Sequence, residues 1–234
     1  KDSADANRAI ASFAAATEDY AKIPKGNEQN LCREQYVINL CMMAALYDHA
    51  AKNHSESARV FQKAREVLAS NPPSTRLATL RYDFEYVASS EMTEWLMAQE
   101  PTKAERALES LVGHTGMRWP PSYYAHQYAI TRYPQGGEEF QSFVGNWLVQ
   151  KPKDDWTPFL RFYMARDYFL QKQYAAAQPI FSNLKESMRM FFSKWTKKPF
   201  MSDMVASMQR LCTASLSSTE NWETNHKPKR WRAR

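Results

Sequence analysis

The chain has 234 residues, of which 44% are apolar and 24% are charged, with a net charge of +6, 6 Gly and 3 Cys. This composition excludes a disordered or fibrous chain, and the length suffices for a hydrophobic core without disulfides or a metal. Charged or amide residues interrupt every apolar run before the roughly 18 residues that cross a bilayer, so we expect no membrane span.

The predicted helices follow from scarce Gly and from apolar residues spaced three and four apart. About ten helices are predicted, with Pro, Gly and polar residues marking their ends. They run over 4–21, 31–52, from Ser55 or Ser57 to 70, from Ser74 through Val87, over 101–113, from Ser122 to 132, over 138–150, from Thr157, over 174–195 and over 201–216.

Two helix starts are predicted in detail. Thr102 and Glu105 are expected to form a capping box, and Thr157 with Pro158 is expected to give an N-cap followed by a proline at the first helical position. Pro179 should kink its helix or delay its start. Within the helical stripes, Trp95, Trp147 and Cys41 are predicted core residues.

The predicted helices fall into two-helix units that begin near Leu31, Ser74, Ser122, Thr157 and Phe200. The steps between these starts are 43, 48, 35 and 43 residues, in the range of helical-hairpin solenoids. We therefore predict an all-α fold of stacked antiparallel helical hairpins.

One unit, residues 161–190, resembles a tetratricopeptide repeat (TPR), and 41–70 resembles a degenerate copy. The positions that carry the likeness in the first are Met164, Ala165, Tyr168, Tyr174, Ala177, Phe181 and Leu184. The resemblance implies a short TPR-like α-solenoid. By analogy with that fold, the chain presents a groove to peptides or acts as a scaffold. Pentatricopeptide arrays, which bind RNA, have a similar unit length, but no regular pair of base-reading positions recurs.

Positive charge is concentrated in the last fifth of the chain. Residues 1–184 contain 20 Lys and Arg against 21 Asp and Glu, whereas 185–234 contain 11 against 4. The body is thus near neutral at −1 and the C-terminal segment carries +7. Residues 218–234 show no helical apolar period, so we predict a helical-repeat domain at 1–217 followed by an extended basic tail.

The basic segment supplies the candidate RNA-binding residues, because Lys and Arg interleaved with an aromatic ring suit RNA phosphates and bases. They are Lys194, Lys197, Lys198, Lys227, Lys229, Arg230, Trp231, Arg232 and Arg234. A nuclear-import signal and an inert basic end are the alternatives for this tail. Candidate protein-binding residues are Trp222, which has no core nearby in sequence, and the soft apolar Met201, Met204 and Met208, for which core packing of the last hairpin is the alternative.

Catalytic motifs are missing: GxGxxG, GxxxxGK, GxSxG and HExxH do not occur. His49 and His54 are five apart rather than the four that would align two ligands on one helix, which favours surface or capping roles. We expect no metal, no cofactor and no small-molecule substrate. A helical hydrolase or lyase using His114, His126, Asp154 and Asp155 remains the enzyme alternative.

The sequence therefore predicts a non-catalytic helical-repeat scaffold or adaptor that binds other protein subunits. The basic tail suggests RNA as a further partner, in a ribonucleoprotein such as an organellar ribosome. A peptide-binding adaptor without a nucleic-acid role is the alternative. The opening KDSADANRAIASF has no apolar signal core and three Cys cannot all pair, which favours the mitochondrial matrix or the cytoplasm.

Overall fold

The computed structural model describes residues 2–23, 27–70, 79, 82–151 and 153–195. Within these ranges the chain is helical, with nine α-helices and no strand. The helices are α1 (Asp2–Lys22), α2 (Asn27–His49), α3 (His54–Ala69), α4 (Phe84–Met97), α5 (Pro101–Gly113), α6 (Pro121–Arg132), α7 (Glu138–Gln150), α8 (Thr157–Leu170) and α9 (Tyr174–Trp195). None of these helices is both long and apolar enough to cross a membrane.

The chain divides into two compact units, Lys1–Arg132 and Tyr133–Arg234. In the first unit each helix packs on the next from α1 to α6, and α4 also contacts α6. In the second unit α7 packs on α8 and α8 on α9. The all-α class is therefore confirmed, with helices that are neighbours in sequence also being neighbours within each unit.

The first unit has its hydrophobic core between α1, α2, α3 and α4. Val37, Leu40 and Ala44 of α2 are fully buried there with Ala64 of α3 and Val87 of α4. The predicted core positions Cys41 and Trp95 are 1% and 2% exposed, so both predictions are confirmed. Burial raises the pKa of the Cys41 thiol to about 12, which leaves it unreactive at neutral pH.

An ion pair inside the first unit joins three helices. Arg65 of α3 donates from Nε and Nη2 to the Glu91 carboxylate of α4, at 2.5 and 3.3 Å, and from Nη1 to Ser110 Oγ of α5 at 3.2 Å. Glu91 is 2% exposed. Burial raises the pKa of its carboxyl, and the bonds and charge of Arg65 only partly offset this.

Several predicted helix starts in the first unit are wrong. Asn53, not Ser55 or Ser57, caps α3, because its side chain accepts from Glu56 N at 3.1 Å. Ser57 is buried and donates instead to the Ala44 carbonyl of α2 at 3.0 Å.

The predicted helix from Ser74 through Val87 is not one element. Asp83 adopts an extended backbone and caps a new helix, α4, by accepting from Tyr86 N at 2.9 Å. The predicted start at Ser74 itself lies outside the described residues.

The predicted capping box at Thr102 and Glu105 is also wrong. Glu100 is the N-cap of α5, Pro101 occupies the first turn, and the Glu105 carboxylate accepts from Tyr128 Oη of α6 at 3.0 Å. The predicted end of this helix at Gly113 is confirmed.

Two predicted helices of the second unit, 138–150 and 174–195, have the bounds of α7 and α9. Pro179 lies within α9, which still begins at Tyr174, so it does not delay the start. Trp156, not Thr157, is the N-cap of α8, and the Asp154 carboxylate accepts from the backbone N–H groups of Trp156 and Thr157 at 2.9 and 3.0 Å.

The core of the second unit is aromatic. Trp156 and Phe159 are fully buried and meet edge to face at 5.2 Å, and Phe162 packs on Phe181 across α8 and α9 at 6.0 Å. The predicted core residue Trp147 is confirmed at 8% exposed. Four of the TPR-like positions are buried as well: Ala165, Ala177, Phe181 and Leu184.

The turn before α7 depends on glycine. Gly136 has φ of +67°, and a Cβ there would stand 1.7 Å from Asp167 Oδ1 of α8. The Asp167 carboxylate is 7% exposed and accepts from Gly137 N at 3.1 Å and from Gln141 Nε2 at 2.7 Å. This buried carboxylate therefore stabilises the N-terminal end of α7.

Candidate functional site

A cavity of about 520 Å³ opens in the first unit. It is lined by the last turn of α2, by α3 at Phe61, by one face of α4, by the connection between α5 and α6, and by the first half of α6. The face of α4 follows from its register, because Tyr86, Ser89, Ser90 and Thr93 are spaced three and four residues apart.

One wall of the cavity is a network around Glu85 at the start of α4. Its carboxylate accepts hydrogen bonds from Tyr124 Oη of α6 and, at 2.8 Å, from Arg118 N. The Arg118 guanidinium also donates to Asp83 Oδ2 at 2.8 Å. Burial and the bond to Glu85 raise the pKa of Tyr124, so its phenol stays protonated and holds α6 to α4.

Aromatic rings cover much of the cavity lining. Trp119 stacks on Tyr123 with ring centroids 4.6 Å apart, and Tyr123 meets Tyr124 edge to face at 5.2 Å. Phe61 and Tyr86 also meet edge to face, at 6.2 Å. Tyr86 is 37% exposed, so part of this aromatic side chain is open to solvent at the cavity.

A second polar group lies at the other end of the α4 face. His54, the first residue of α3, places its Nδ1 at 3.0 Å from Glu94 Oε2 and at 3.5 Å from Asp48 Oδ1 of α2. The other oxygen of Asp48 lies 2.9 Å from His49 Nδ1. Asp48 and Glu94 both line the cavity.

The cavity has an acidic balance. Among its described lining residues, Asp48, Glu85 and Glu94 carry negative charge, and Arg118 is the one Lys or Arg. Glu85 and Glu94 are nine residues apart on α4, which separates them by about 13 Å along the helix axis. Arg118 lies at the Glu85 end, whereas the imidazoles of His49 and His54 lie beside Asp48 and Glu94 at the other end. An acidic, aromatic-lined cavity of this kind attracts a cation.

The structure gives the contacts and the burial of three residues of the enzyme alternative, His114, His126 and Asp154. His114 is exposed and stacks on the Phe84 ring at 3.9 Å. His126 is 3% exposed, and burial lowers its pKa to about 4. In the second unit, Asp154 accepts the backbone N–H groups at the start of α8.

The predicted RNA-binding and protein-binding residues lie almost entirely beyond the described part of the chain. Lys194 falls in α9, and its side chain is not described. The other predicted residues at 197–234, including Trp222, Met201, Met204 and Met208, are outside the described residues. The cavity is therefore a candidate site that was not among these predictions.

The cavity residues did leave a partial signal in the sequence. Asp48, His49 and His54 are ligand-type residues that flank a short break between helices, and HTGMRWPP is the least regular stretch of the interior. Glu85 and Glu94 gave no such signal, because single acidic residues on a helix are typical of a solvated face. The packing of α4 against α3 and α6 turns them inward.

No family model, curated protein or solved structure matches this chain.

Proposed function

We propose that the chain is a non-catalytic helical adaptor subunit of a larger assembly. The first unit holds a basic segment of a protein partner in its acidic, aromatic cavity, and the basic C-terminal segment anchors to RNA, as in a ribonucleoprotein such as an organellar ribosome. In this role the helices form a short TPR-like α-solenoid, and the chain is located in the mitochondrial matrix or the cytoplasm.

The observation that carries the protein-binding role is the combination of lining residues. Trp119, Tyr123 and Tyr86 line the cavity with aromatic rings, and Asp48 and Glu94 supply carboxylates within the same cavity. An arginine side chain satisfies both, because its guanidinium stacks on aromatic faces and donates paired hydrogen bonds to a carboxylate. A volume of about 520 Å³ is within the range of roughly 300 to 1,000 Å³ that is typical of ligand-binding clefts, which leaves room for an arginine side chain.

Peptide binding tests this role. A short fluorescent peptide with one arginine is compared with the same peptide carrying citrulline, which keeps the shape and removes the charge, both with EDTA present. The arginine peptide should bind more tightly, and Trp119→Leu should weaken it by about fivefold, the equivalent of about 1 kcal/mol of cation–π interaction.

The matched control is Met97→Ala, which changes an apolar residue that is 53% exposed and does not line the cavity. This variant should bind the arginine peptide like the wild type. Equal affinity for the arginine and citrulline peptides would contradict the proposed binding mode.

The segregation of charge supports the RNA-anchoring role, since the +7 of residues 185–234 follows a body of −1. In a titration with a structured RNA, affinity should fall steeply as salt rises, because each neutralised phosphate releases counterions. Replacing Lys227, Lys229, Arg230, Arg232 and Arg234 with Gln should abolish most of this binding. Unchanged RNA affinity in that variant would contradict the anchoring role while leaving the peptide result intact.

A further inference from the structure

We propose that Asp48, His54 and Glu94 form a binding site for a divalent transition-metal ion, with Zn²⁺ as the test case. The site goes beyond the proposed adaptor function and does not depend on it. Because it uses the Asp48 and Glu94 carboxylates, a bound ion and the partner's arginine would compete for them. The three residues come from the end of α2, the start of α3 and the last turn of α4, so an ion bound by them would join three helices of the first unit.

The ligand atoms have the spacing that one ion requires. His54 Nδ1, Asp48 Oδ1 and Glu94 Oε2 include pairs at 3.0 and 3.5 Å, and one ligand atom from each residue lies within 4.8 Å of the others. Nitrogen and oxygen ligands about 2.1 Å from a common ion stand about 3.0 to 3.4 Å apart at tetrahedral or octahedral angles. The 3.0 Å pair lies within that range and the 3.5 Å pair lies just above it, so small side-chain movements bring these atoms to the spacing of a bound ion.

The chemistry of the three ligands selects the kind of metal. An imidazole nitrogen with two carboxylates suits Zn²⁺ and its first-row neighbours, whereas Ca²⁺ and Mg²⁺ prefer oxygen ligands alone. Three protein ligands leave one or more coordination positions open. Asp48 and Glu94 line the cavity, so these positions would face it.

Burial and charge favour an ion over a simple ion pair. The Glu94 side chain is 11% exposed and the Asp48 side chain 23%, so two partly desolvated carboxylates approach one imidazole. A divalent ion carries two positive charges, which match the two carboxylates.

The surroundings of Asp48 also fit a ligand. Its Oδ2 lies 2.9 Å from His49 Nδ1 while Oδ1 faces His54. Carboxylates that bind metals are commonly oriented by such an outer hydrogen bond, which leaves the inner oxygen for the ion.

Zinc titration of the EDTA-treated full chain tests the site, in a Cys32→Ser background because Cys32 is exposed and offers a competing thiolate. We expect one tight site by calorimetry and a Zn²⁺-dependent rise in Tm, because the unfolded chain lacks the preformed site. Glu94→Gln and His54→Gln should each weaken the tight site by about tenfold or more. The controls Glu100→Gln and His114→Gln remove an exposed acid and an exposed imidazole elsewhere in the first unit and should bind like the parent.

A measurement on the wild-type chain avoids any loss of folding in the variants. Saturating Zn²⁺ should shift the ¹⁵N resonances of the His54 ring, which reports direct ligation. No shift at saturating Zn²⁺, or equal affinities in Glu94→Gln and Glu100→Gln, would overturn the site and leave an ion pair between His54 and the two carboxylates. Because no peptide is used here and the peptide measurements contain EDTA, either proposal can fail without the other.

Discussion

In the first unit, charged side chains reach into the interior. Arg65 pairs with Glu91 and also bonds to Ser110 of α5, and Asp48 and Glu94 converge on His54 beside the cavity. In the second unit the interior is aromatic, and its groove of about 380 Å³ is lined mainly by apolar residues such as Leu148, Met164 and Ile180.

Two carboxylates of the first unit, Asp48 and Glu94, also have a different task from two of the second, Asp154 and Asp167. In the second unit, Asp154 and Asp167 accept backbone N–H groups where α8 and α7 begin, so their charge is used by the fold itself. In the first unit, Asp48 and Glu94 accept no such helix-start bonds and line a cavity. Charge that the fold does not use for capping is available to a ligand, which is why we assign the binding role to the first unit.

Trp156→Ala should have the largest effect, because this ring is fully buried in the aromatic core of the second unit. Removing a buried tryptophan side chain costs about 4 kcal/mol of unfolding free energy, measured by urea denaturation. Val149→Ala is the control, since Val149 is 86% exposed in the same unit and should change stability by less than about 0.5 kcal/mol. Similar losses in both variants would contradict an aromatic core centred on Trp156.

Arg65→Met tests the charged interior of the first unit. The change leaves Glu91 buried without its guanidinium partner, and breaking such a pair from one side costs about 3 to 4 kcal/mol. The double variant Arg65→Met with Glu91→Leu should recover most of that loss, because no buried charge remains. If the double variant is less stable than Arg65→Met, the pair is not the main source of the effect.

Acid should destabilise the first unit through His126. Burial lowers its pKa to about 4 in the folded chain, against about 6.5 in the unfolded chain. The unfolded state therefore binds the extra proton first, and stability falls as pH drops from about 6.5 to about 4. The loss from this group is about 3 kcal/mol, and His126→Gln should remove that part of the pH dependence in denaturation curves from pH 7 to 4. A curve of unchanged slope in His126→Gln would contradict the buried, neutral imidazole.

Much of the helical pattern was predictable, because apolar spacing and Pro or Gly punctuation are local signals. The bounds of α7 and α9 and the end of α5 at Gly113 follow from such residues. Most failures are at helix starts, and the predicted end of the second helix at 52 is also wrong, since α2 ends at His49. At Asp83 and Asn53 the cap depends on which polar side chain reaches a free N–H, and several nearby Ser, Thr, Asp and Asn residues satisfy the same pattern.

The candidate site was less predictable, since it depends on contacts between helices. The spacing of His49 and His54 was judged on one helix, where five residues do not align two ligands. In the structure α2 ends at His49, and Lys52 adopts φ of +51° in the turn that leads to α3. This turn brings His54 back to Asp48, and Glu94 joins them from 40 residues further along the chain. A pairing at that separation has no signature in a single sequence.

The smallest effect we predict separates the two tasks of the carboxylates. Asp154→Ala should lower the unfolding free energy by about 1 kcal/mol, because two N–H groups at the start of α8 lose their acceptor. Asp154→Asn should retain most of that stability, since an amide oxygen accepts the same bonds.

At Asp48 the same Asp→Asn change should instead abolish tight Zn²⁺ binding, because an amide is a far poorer ligand for that ion than a carboxylate. Urea denaturation of the two Asp154 variants and zinc calorimetry of Asp48→Asn therefore distinguish a carboxylate that acts as a hydrogen-bond acceptor from one that acts through its charge. Equal tolerance of asparagine at both positions would remove the distinction between the two units.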